Sequence, residues 1–401
     1  MSTTTGSLII RNALIFDGTH EDLVEGDIRI EAGRIVEIGP ISRLDLPTLD
    51  AAGSVVVPGL IDCHFHAWGI SLDMLEMEAS RSSYVSLKGA ARLAAALRRG
   101  FTTVRDVAGG DIGVARAIDE GLVPGPNYFY SGPALSQTGG HGDGRHAHLD
   151  LISRSHCSVE VVDGIDDLRV AVRERLRTGA HAIKIMASGG VMSPADPIRV
   201  PQYSPEEIRV VVDEATRRGS YVAAHAYSPE AIRHAVTNGV RSIEHGNLLD
   251  DATANVMAEH GAVLVPTLVT YLAMAERGRA LGMAPVGLEK NALVLEAGMA
   301  AIERAMRSGI LVGFGTDLMG GLESEQLRGL QVQHEVQGTL ELLRSVTARN
   351  AAIIGDDRYG RIAPGAAGDV LVLGGDPFST PSVLWQEAPK RRVVKAGLVV
   401  A

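Results

Sequence analysis

The sequence has few cysteines and a deficit of basic side chains. Only Cys63 and Cys157 occur among 401 residues, so a disulfide scaffold is not indicated and a reducing cytoplasm is the expected location. Lys and Arg number 38 against 48 Asp and Glu, a formal charge of −10. An acidic chain of this kind argues against nucleic acid or an anionic membrane surface as the partner. We therefore expect a small-molecule substrate.

Long apolar runs are also absent. No stretch of about 18 consecutive apolar residues occurs, and the opening MSTTTGSLIIRNALIF lacks a basic segment followed by an unbroken apolar one. We therefore expect neither membrane insertion nor export. The chain is 45% hydrophobic and 21% charged, enough to bury a large core, which excludes disorder. Its 13 histidines draw attention because histidine is the commonest metal ligand and proton carrier.

Both ends of the chain have the pattern of short β strands joined by turns. The candidate strands near the N-terminus are 8–16, 27–30, 34–38 and 55–57, and those near the C-terminus are 369–373 and 392–400. We interpret residues 1–58 and 361–401 as the two parts of one small β-sandwich domain.

The middle of the chain, 59–360, alternates short apolar runs with longer helical patterns, which is typical of βα units. The eight candidate strands are 59–63, 102–106, 127–131, 182–186, 221–224, 242–244, 262–266 and 311–315. Candidate helices between them include 87–99, 166–177, 205–218 and 292–308. Eight such units predict a (β/α)8 TIM-type barrel. A doubly wound open sheet is the alternative, and it is disfavoured because no G-x-G-x-x-G turn follows the first strand.

Residues that can bind metals are found at these strands. The six are His64, His66, Lys184, His225, His245 and Asp317. His64 and His66 are two positions apart, so their imidazoles point to the same side of an extended chain. Taken singly, a histidine can be a hydrogen-bonded structural residue, Lys184 half of an ion pair, and Asp317 a helix cap. Their joint placement near the end of a barrel where active sites form favours a metal site.

At these residues the sequence resembles the amidohydrolase superfamily of metal-dependent hydrolases, over nearly the whole chain. The matching stretches are VVVPGLIDCHFHAW at 55–68, AIKIMASGG at 182–190, VAAHAYS at 222–228, SIEHGN at 242–247 and GFGTDL at 313–318. The closing VVKAGLVV is similar to that family's small β domain as well.

The resemblance implies a binuclear metal centre. His64 and His66 would hold one divalent ion, His225 and His245 the second, and Lys184, converted by carbon dioxide to an anionic carbamate, would bridge them. Asp317 would contact the first metal, accept the proton of the attacking water and pass it to the leaving amine. Zinc suits such imidazole and carboxylate ligands, with manganese or cobalt as alternatives.

Within the superfamily, the sequence is most similar to the imidazolonepropionase-like and prolidase-like group, which includes hydrolases of dipeptides and of N-acyl amino acids. SQTGGHGDGR at 136–145 and SGGV at 188–191 carry this likeness. His141 and Tyr227 are the candidate substrate-binding residues, through the scissile carbonyl or the substrate carboxylate. A solvated loop is the alternative for His141, Asp143 and Arg145. The roles of Arg145, His146, His148 and His156 stay open.

The deaminase branch of the superfamily is less similar, because its members typically lack the lysine and have a glutamate where this chain has Ser228. We therefore predict a metal-dependent amidohydrolase that cleaves a dipeptide or an N-acyl amino acid and acts as a homo-oligomer. The first alternative is a hydrolase of a xenobiotic amide or carbamate, such as an aryl amide or an ochratoxin-type mycotoxin. The remote alternative is a metal-binding protein without turnover.

Overall fold

The structure is a computed structural model that describes residues 5–43, 45–145, 158–193, 196–386 and 391–401. Cys157, His146, His148 and His156 lie outside the described residues. The strands are β1 Leu8–Ile15, β2 Val24–Glu31, β3 Arg34–Gly39, β4 Thr48–Asp50, β5 Val55–Pro58, β6 Leu60–Phe65, β7 Phe101–Asp106, β8 Asn127–Tyr130, β9 Ala134–Ser136, β10 Val159–Val161, β11 Ala182–Met186, β12 Tyr221–Ala226, β13 Ser242–His245, β14 Val263–Val265, β15 Val370–Val372, β16 Arg392–Lys395 and β17 Leu398–Val399.

The helices begin mostly where a strand has ended, which is the pattern of βα units. They are α1 Met74–Ala79, α2 Ser82–Arg98, α3 Ile112–Asp119, α4 Ile165–Arg177, α5 Pro205–Arg217, α6 Pro229–Thr237, α7 Asp251–Glu259, α8 Leu268–Arg277, α9 Pro285–Arg307, α10 Gln326–Arg344 and α11 Asn350–Ile354. Among the described residues, no helix is long and apolar enough to span a membrane.

Strands from both ends of the chain share one mixed sheet. Its order is β17-β16-β15-β5-β1-β2-β3, with β4 paired to β1 outside this path. The sequence predicted a small β-sandwich, and the described strands of both ends are assigned to this single sheet. β1 pairs first with β4 and then with β5, and the change falls near Asn12, whose φ is 53°. Ile28, Ile30 and Ile35 are buried and belong to the hydrophobic core that this sheet covers. β5 leads directly into β6, so the sheet abuts the parallel strands.

The strands of the middle region pair in parallel. They form a six-stranded sheet, β10-β9-β11-β12-β13-β14, and a three-stranded sheet, β6-β7-β8. The mixed α/β content and the parallel pairing agree with the sequence prediction. Seven of the eight predicted strands are assigned as strands, with shifts of one or two residues at their ends.

The exception is 311–315, which was predicted as a strand and forms only an isolated parallel bridge between Leu264 and Val312. The Asn350 side chain explains the difference on the side that faces β6, because it lies between the Phe314 amide and the Ile61 carbonyl, which would otherwise bond to each other. Its Oδ1 accepts from the Phe314 amide at 2.9 Å, and its Nδ2 donates to the Phe314 and Ile61 carbonyls at 2.8 and 2.7 Å.

The largest error in the predicted helices is at α9, expected over 292–308 and observed over Pro285–Arg307. Proline at the first helical position supplies a fitting φ and needs no hydrogen-bond partner for its nitrogen. The missed segment, 285–291, contains Gly287 and a polar run at 289–291. These residues interrupt the apolar periodicity from which the helix was predicted. α2 likewise begins at Ser82 rather than at 87.

Candidate metal centre

All the residues predicted to form the site line one pocket of about 730 Å³, its open mouth included. They are His64, His66, His141, Lys184, His225, Tyr227, His245 and Asp317. His64 and His225 are the penultimate residues of β6 and β12, and His245 ends β13. Lys184 is in the middle of β11 rather than after it. Six of the eight therefore come from parallel strands or the residues just beyond them.

Asp317 is at the centre of the cluster. Its Oδ1 lies 2.8 Å from His66 Nε2 and 3.4 Å from His64 Nε2, and its Oδ2 lies 3.8 Å from His245 Nδ1. Burial raises the pKa of Asp317, but the nearby His64 and the hydrogen bond from His66 lower it by more, so that it lies well below its usual value. Asp317 is therefore an anion in the native protein.

Three of these side chains already have the spacing of metal ligands. The potential ligand atoms of His64, His245 and Asp317 all lie within 4.8 Å of one another. Imidazole nitrogens with a carboxylate oxygen are ligands that suit zinc and similar divalent ions. This donor set suits a divalent metal, and it combines His64 of the first predicted half-site with His245 of the second.

His225 completes the imidazole group from the opposite side. Its ring centroid lies 4.6 Å from that of His245 and 4.2 Å from that of His141. Its Nε2 lies 3.2 Å from the Gly189 carbonyl, which can only accept, so Nδ1 is left with the free lone pair. Burial, more than the neighbouring cations, lowers the pKa of His225 and His245 well below its usual value. Both rings are therefore neutral, the form that binds metals.

Lys184 is 2% exposed. Burial lowers the pKa of its amine to about 8, against the opposing effect of the Glu244 and Asp317 carboxylates. An amine with this pKa is neutral in about a tenth of molecules at pH 7, far more often than an ordinary lysine. The neutral amine is the nucleophile that can react with carbon dioxide, so its environment suits the predicted carbamate.

The backbone is strained where the ligand candidates sit. His245 and Asp317 have φ values of 73° and 54°, in the left-handed region that non-glycine residues rarely adopt. Close packing also requires glycine nearby. A Cβ at Gly315 would lie 2.5 Å from His64 Cβ, and one at Gly190 would lie 2.1 Å from His141 Cε1. These contacts account for glycine in GFGTD and SGG.

The two predicted substrate contacts have different surroundings. His141 Nδ1 lies 2.8 Å from Ser193 Oγ and 3.6 Å from Asp196 Oδ2. The hydroxyl of Tyr227 lies 2.9 Å from that of Tyr271, which is 2.8 Å from His245 Nδ1. Both residues therefore adjoin the ligand cluster.

Arg145 and Arg199, the cations of the neighbouring loops, are not among the lining residues. Arg145 donates from Nε and Nη2 to the two carboxylate oxygens of Asp143, both at 2.6 Å. Arg199 is exposed. The Arg145 side chain is exposed, whereas that of Asp143 is only 6% exposed.

The rest of the pocket wall is rich in methionine, which the sequence did not indicate. The six methionines are Met74, Met77, Met186, Met192, Met274 and Met319. Methionine is unbranched and polarisable, so it adapts to irregular apolar groups and contacts aromatic rings favourably. The methionines therefore give the pocket an adaptable apolar lining beside the ligand candidates.

The sequence analysis also did not identify the residues that contact the ligand candidates from the side away from Asp317. Glu244 Oε2 lies 2.7 Å from His64 Nδ1, and Arg105 binds both oxygens of Glu244. The available signal was the presence of Glu244 and Arg105 inside otherwise apolar or small-residue strands, where a charge needs a partner. Lys290 was also missed, and its amine binds the carbonyls of Gly190, Ser193 and Asp196.

The chain is similar to several known proteins over nearly its whole length. Residues 55–400 match the model of the Amidohydrolase family. Ochratoxinase from Aspergillus niger is 31% identical over 415 residues, covering 97% of this chain and 85% of that protein. The crystal structure of an amidohydrolase is 43% identical, with a TM-score of 0.95 and 98% of each chain covered. The crystal structure of a prolidase complexed with N-methylphosphonate-L-proline is 41% identical, with a TM-score of 0.95 and coverage of 98% of this chain and 99% of that one.

Proposed function

The chain belongs to the amidohydrolase family and is a hydrolase, and on this basis we propose that it is a binuclear metal-dependent amidase acting on a dipeptide or an N-acyl amino acid. The observation that carries the proposal is the gathering of four histidines, Lys184 and Asp317 in one pocket. The prolidase among its structural relatives supports the choice of substrate.

A xenobiotic or mycotoxin amide is the second candidate substrate. Two observations favour it: the similarity to ochratoxinase over 97% of the chain and the methionine-rich wall of the pocket. Both candidate reactions hydrolyse an amide with the same polar groups, and a neutral xenobiotic amide differs from a dipeptide or an N-acyl amino acid in having no free carboxylate to be recognised.

The proposed scaffold is a closed (β/α)8 barrel at 59–360 with a small β domain at 1–58 and 361–401. Backbone hydrogen bonds support closure where the assigned sheets leave gaps. The Gly313 amide donates to the Leu264 carbonyl at 2.8 Å, and the Cys63 amide donates to the Phe314 carbonyl at 2.9 Å. The segment 311–315 would thus join β14 to β6.

Two half-sites are proposed for the metals. His64 and His66 would hold one ion, His225 and His245 the other, with Lys184 as a bridging carbamate and Asp317 beside the first ion. Bound there, two divalent ions would lower the pKa of a water molecule and polarise the amide carbonyl. Zinc is the proposed metal, with manganese and cobalt as alternatives.

The protein's own groups supply positioning and proton transfer. Asp317, ionised and hydrogen-bonded to His66, can accept the proton of the attacking water and return it to the departing nitrogen. Tyr227 can donate a hydrogen bond to the carbonyl or to a substrate carboxylate, and His141 adjoins the same space. Val159, Val191 and the methionines exclude water from the apolar part of the substrate.

Esterification of the substrate tests the proposed substrate class. An unpaired carboxylate buried in this pocket would cost several kcal/mol. His141 and Tyr227 are therefore proposed to bind the substrate carboxylate. Methyl esters of good substrates should lose at least ~10-fold in kcat/KM, or ~1.4 kcal/mol of transition-state binding. Steady-state rates on matched acids and esters provide the measurement.

The Tyr227→Phe variant separates two roles of that hydroxyl. If the hydroxyl binds the carboxylate, the variant should show a smaller difference in kcat/KM between acid and ester. If the hydroxyl polarises the carbonyl, the variant should have a lower kcat on both substrates. Equal rates for acid and ester in the native enzyme would contradict the dipeptidase proposal and favour neutral xenobiotic amides.

Metal content tests the binuclear proposal directly. Protein produced with added zinc or manganese should contain close to two ions per chain by elemental analysis, because the ligands divide into two half-sites that share Lys184. His225→Ala should lower the content toward one. His260→Ala, an exposed histidine at the end of α7, is the matched control and should keep two. A saturated value near one in the native protein would refute the second half-site.

A further inference from the structure

A buried ion pair lies directly behind His64. Arg105 on β7 is 2% exposed and Glu244 on β13 is 0% exposed. The Arg105 guanidinium donates from Nη2 to Glu244 Oε1 and Oε2 at 2.8 and 2.9 Å, and from Nε to the Cys63 carbonyl at 2.7 Å. Glu244 Oε2 in turn lies 2.7 Å from His64 Nδ1. Residues of β6, β7 and β13, which belong to two different sheets, thus meet at one carboxylate.

The other partners of this pair fix it in one geometry. Ser242 Oγ donates to Glu244 Oε1 at 2.6 Å, and Arg105 Nη1 donates to the Tyr221 hydroxyl at 3.2 Å. Every oxygen of Glu244 is therefore occupied by donors. A buried charge with one partner removed is costly, and here each charge has several partners on different strands.

The charge of Glu244 determines where the proton of His64 resides. The Arg105 guanidinium binds both oxygens of Glu244, and Ser242 Oγ donates to Oε1, so Glu244 is paired as a carboxylate and only its Oε2 faces His64 Nδ1. An ionised carboxylate can only accept hydrogen bonds. His64 Nδ1 must therefore carry a proton, and in the neutral ring the free lone pair is on Nε2, on the side of Asp317 Oδ1 at 3.4 Å.

We propose that Arg105 and Glu244 are positioning residues that hold His64 in the Nδ1-protonated tautomer and orientation needed to bind a metal through Nε2. The inference rests on the proposed metal-dependent function. Outer partners of this kind orient a metal-binding histidine and increase its basicity. Arginine suits the position because its planar guanidinium can bind Glu244 and the Cys63 carbonyl together.

Zinc affinity of the metal-free, full-length protein provides the test, measured with Zn²⁺ alone against a chromophoric chelator. Glu244→Gln and Arg105→Met should each weaken zinc binding by about 10- to 100-fold. Arg105→Lys keeps the charge but loses the planar fork, so its affinity should lie between that of Arg105→Met and that of the native chain.

The matched control is Arg175→Met. Arg175 is also buried, at 4% exposed, and binds Glu160 Oε2 at 2.9 Å, but it does not line the pocket. Its loss should lower thermal stability and leave zinc affinity within about twofold, since only partners of the ligands tune the metal.

The tautomer can be observed directly by long-range ¹H–¹⁵N spectra of histidine-labelled, metal-free protein. The native chain should show His64 protonated at Nδ1, and Glu244→Gln should reduce that population because an amide can also donate to Nδ1. Because these spectra need only the native chain and Glu244→Gln, they test the inference even if Arg105→Met does not fold.

Two failures are distinguishable. If the native protein binds zinc but Glu244→Gln and Arg105→Lys bind it equally well, the ion pair is only structural and the inference is overturned. If the native protein binds no divalent metal, the proposed function itself fails, and the inference fails with it.

Discussion

Asp317→Asn is expected to leave a folded protein that keeps most of its metal and loses nearly all turnover. Asparagine has the size of aspartate and retains one oxygen that can contact a metal, but it cannot accept a proton at neutral pH. The native carboxylate is kept ionised by His64 and His66. Because general acid–base catalysis contributes about 10²- to 10⁴-fold, we expect a loss in kcat of at least ~100-fold.

The measurement is kcat on an N-acyl amino acid together with metal content by elemental analysis. Asp369→Asn is the matched control. Asp369 is also buried, at 5% exposed, but it binds the Ala396 amide and the Asn127 side chain far from the pocket lining. The Asp369→Asn substitution should affect the stability of the protein more than its kcat. Near-normal rates in Asp317→Asn would mean that another group accepts the proton.

The positions of the ligand candidates were predictable because strands are recognisable as short apolar runs, and the residue that ends a run is defined by the sequence itself. His245 follows SIE, and His64 follows LIDC, so their placement at strand ends required no tertiary information. Parallel pairing then brought strands that are distant in sequence to one pocket.

Partners that come from distant strands could not be predicted in the same way. Arg105 and Glu244 are 139 residues apart, and nothing in either local sequence identifies the other. Asn350 likewise replaces ladder hydrogen bonds at Phe314 from 36 residues away, which is why 311–315 looks like a strand and is not assigned as one. Met186 of the methionine wall ends β11. The other five methionines are on α1, α8 and loops, and those segments have no fixed relation to the strand pattern.

Lys184→Ala is expected to lower activity by at least ~100-fold, because loss of a partner behind a ligand already costs about 10- to 100-fold and Lys184 is proposed to bind both metals. A short carboxylic acid such as acetate or propionate should restore part of the activity, since its two oxygens can occupy the space of the carbamate. Rates measured across a series of added acids, with metal content recorded for each, provide the test.

The control for Lys184→Ala is Lys395→Ala, a lysine of β16 whose amine donates to the Gly125 carbonyl at 2.7 Å. The activity of Lys395→Ala should equal that of the native chain, and added carboxylic acids should not change it. The rescue separates two roles of Lys184, because an ammonium that simply pairs with Glu244 or Asp317 cannot be replaced by an anion. Rescue by acetate but not by methylamine would support the carbamate. Rescue by methylamine instead would mean that Lys184 acts as a cation, and the proposed bridge between the metals would be wrong.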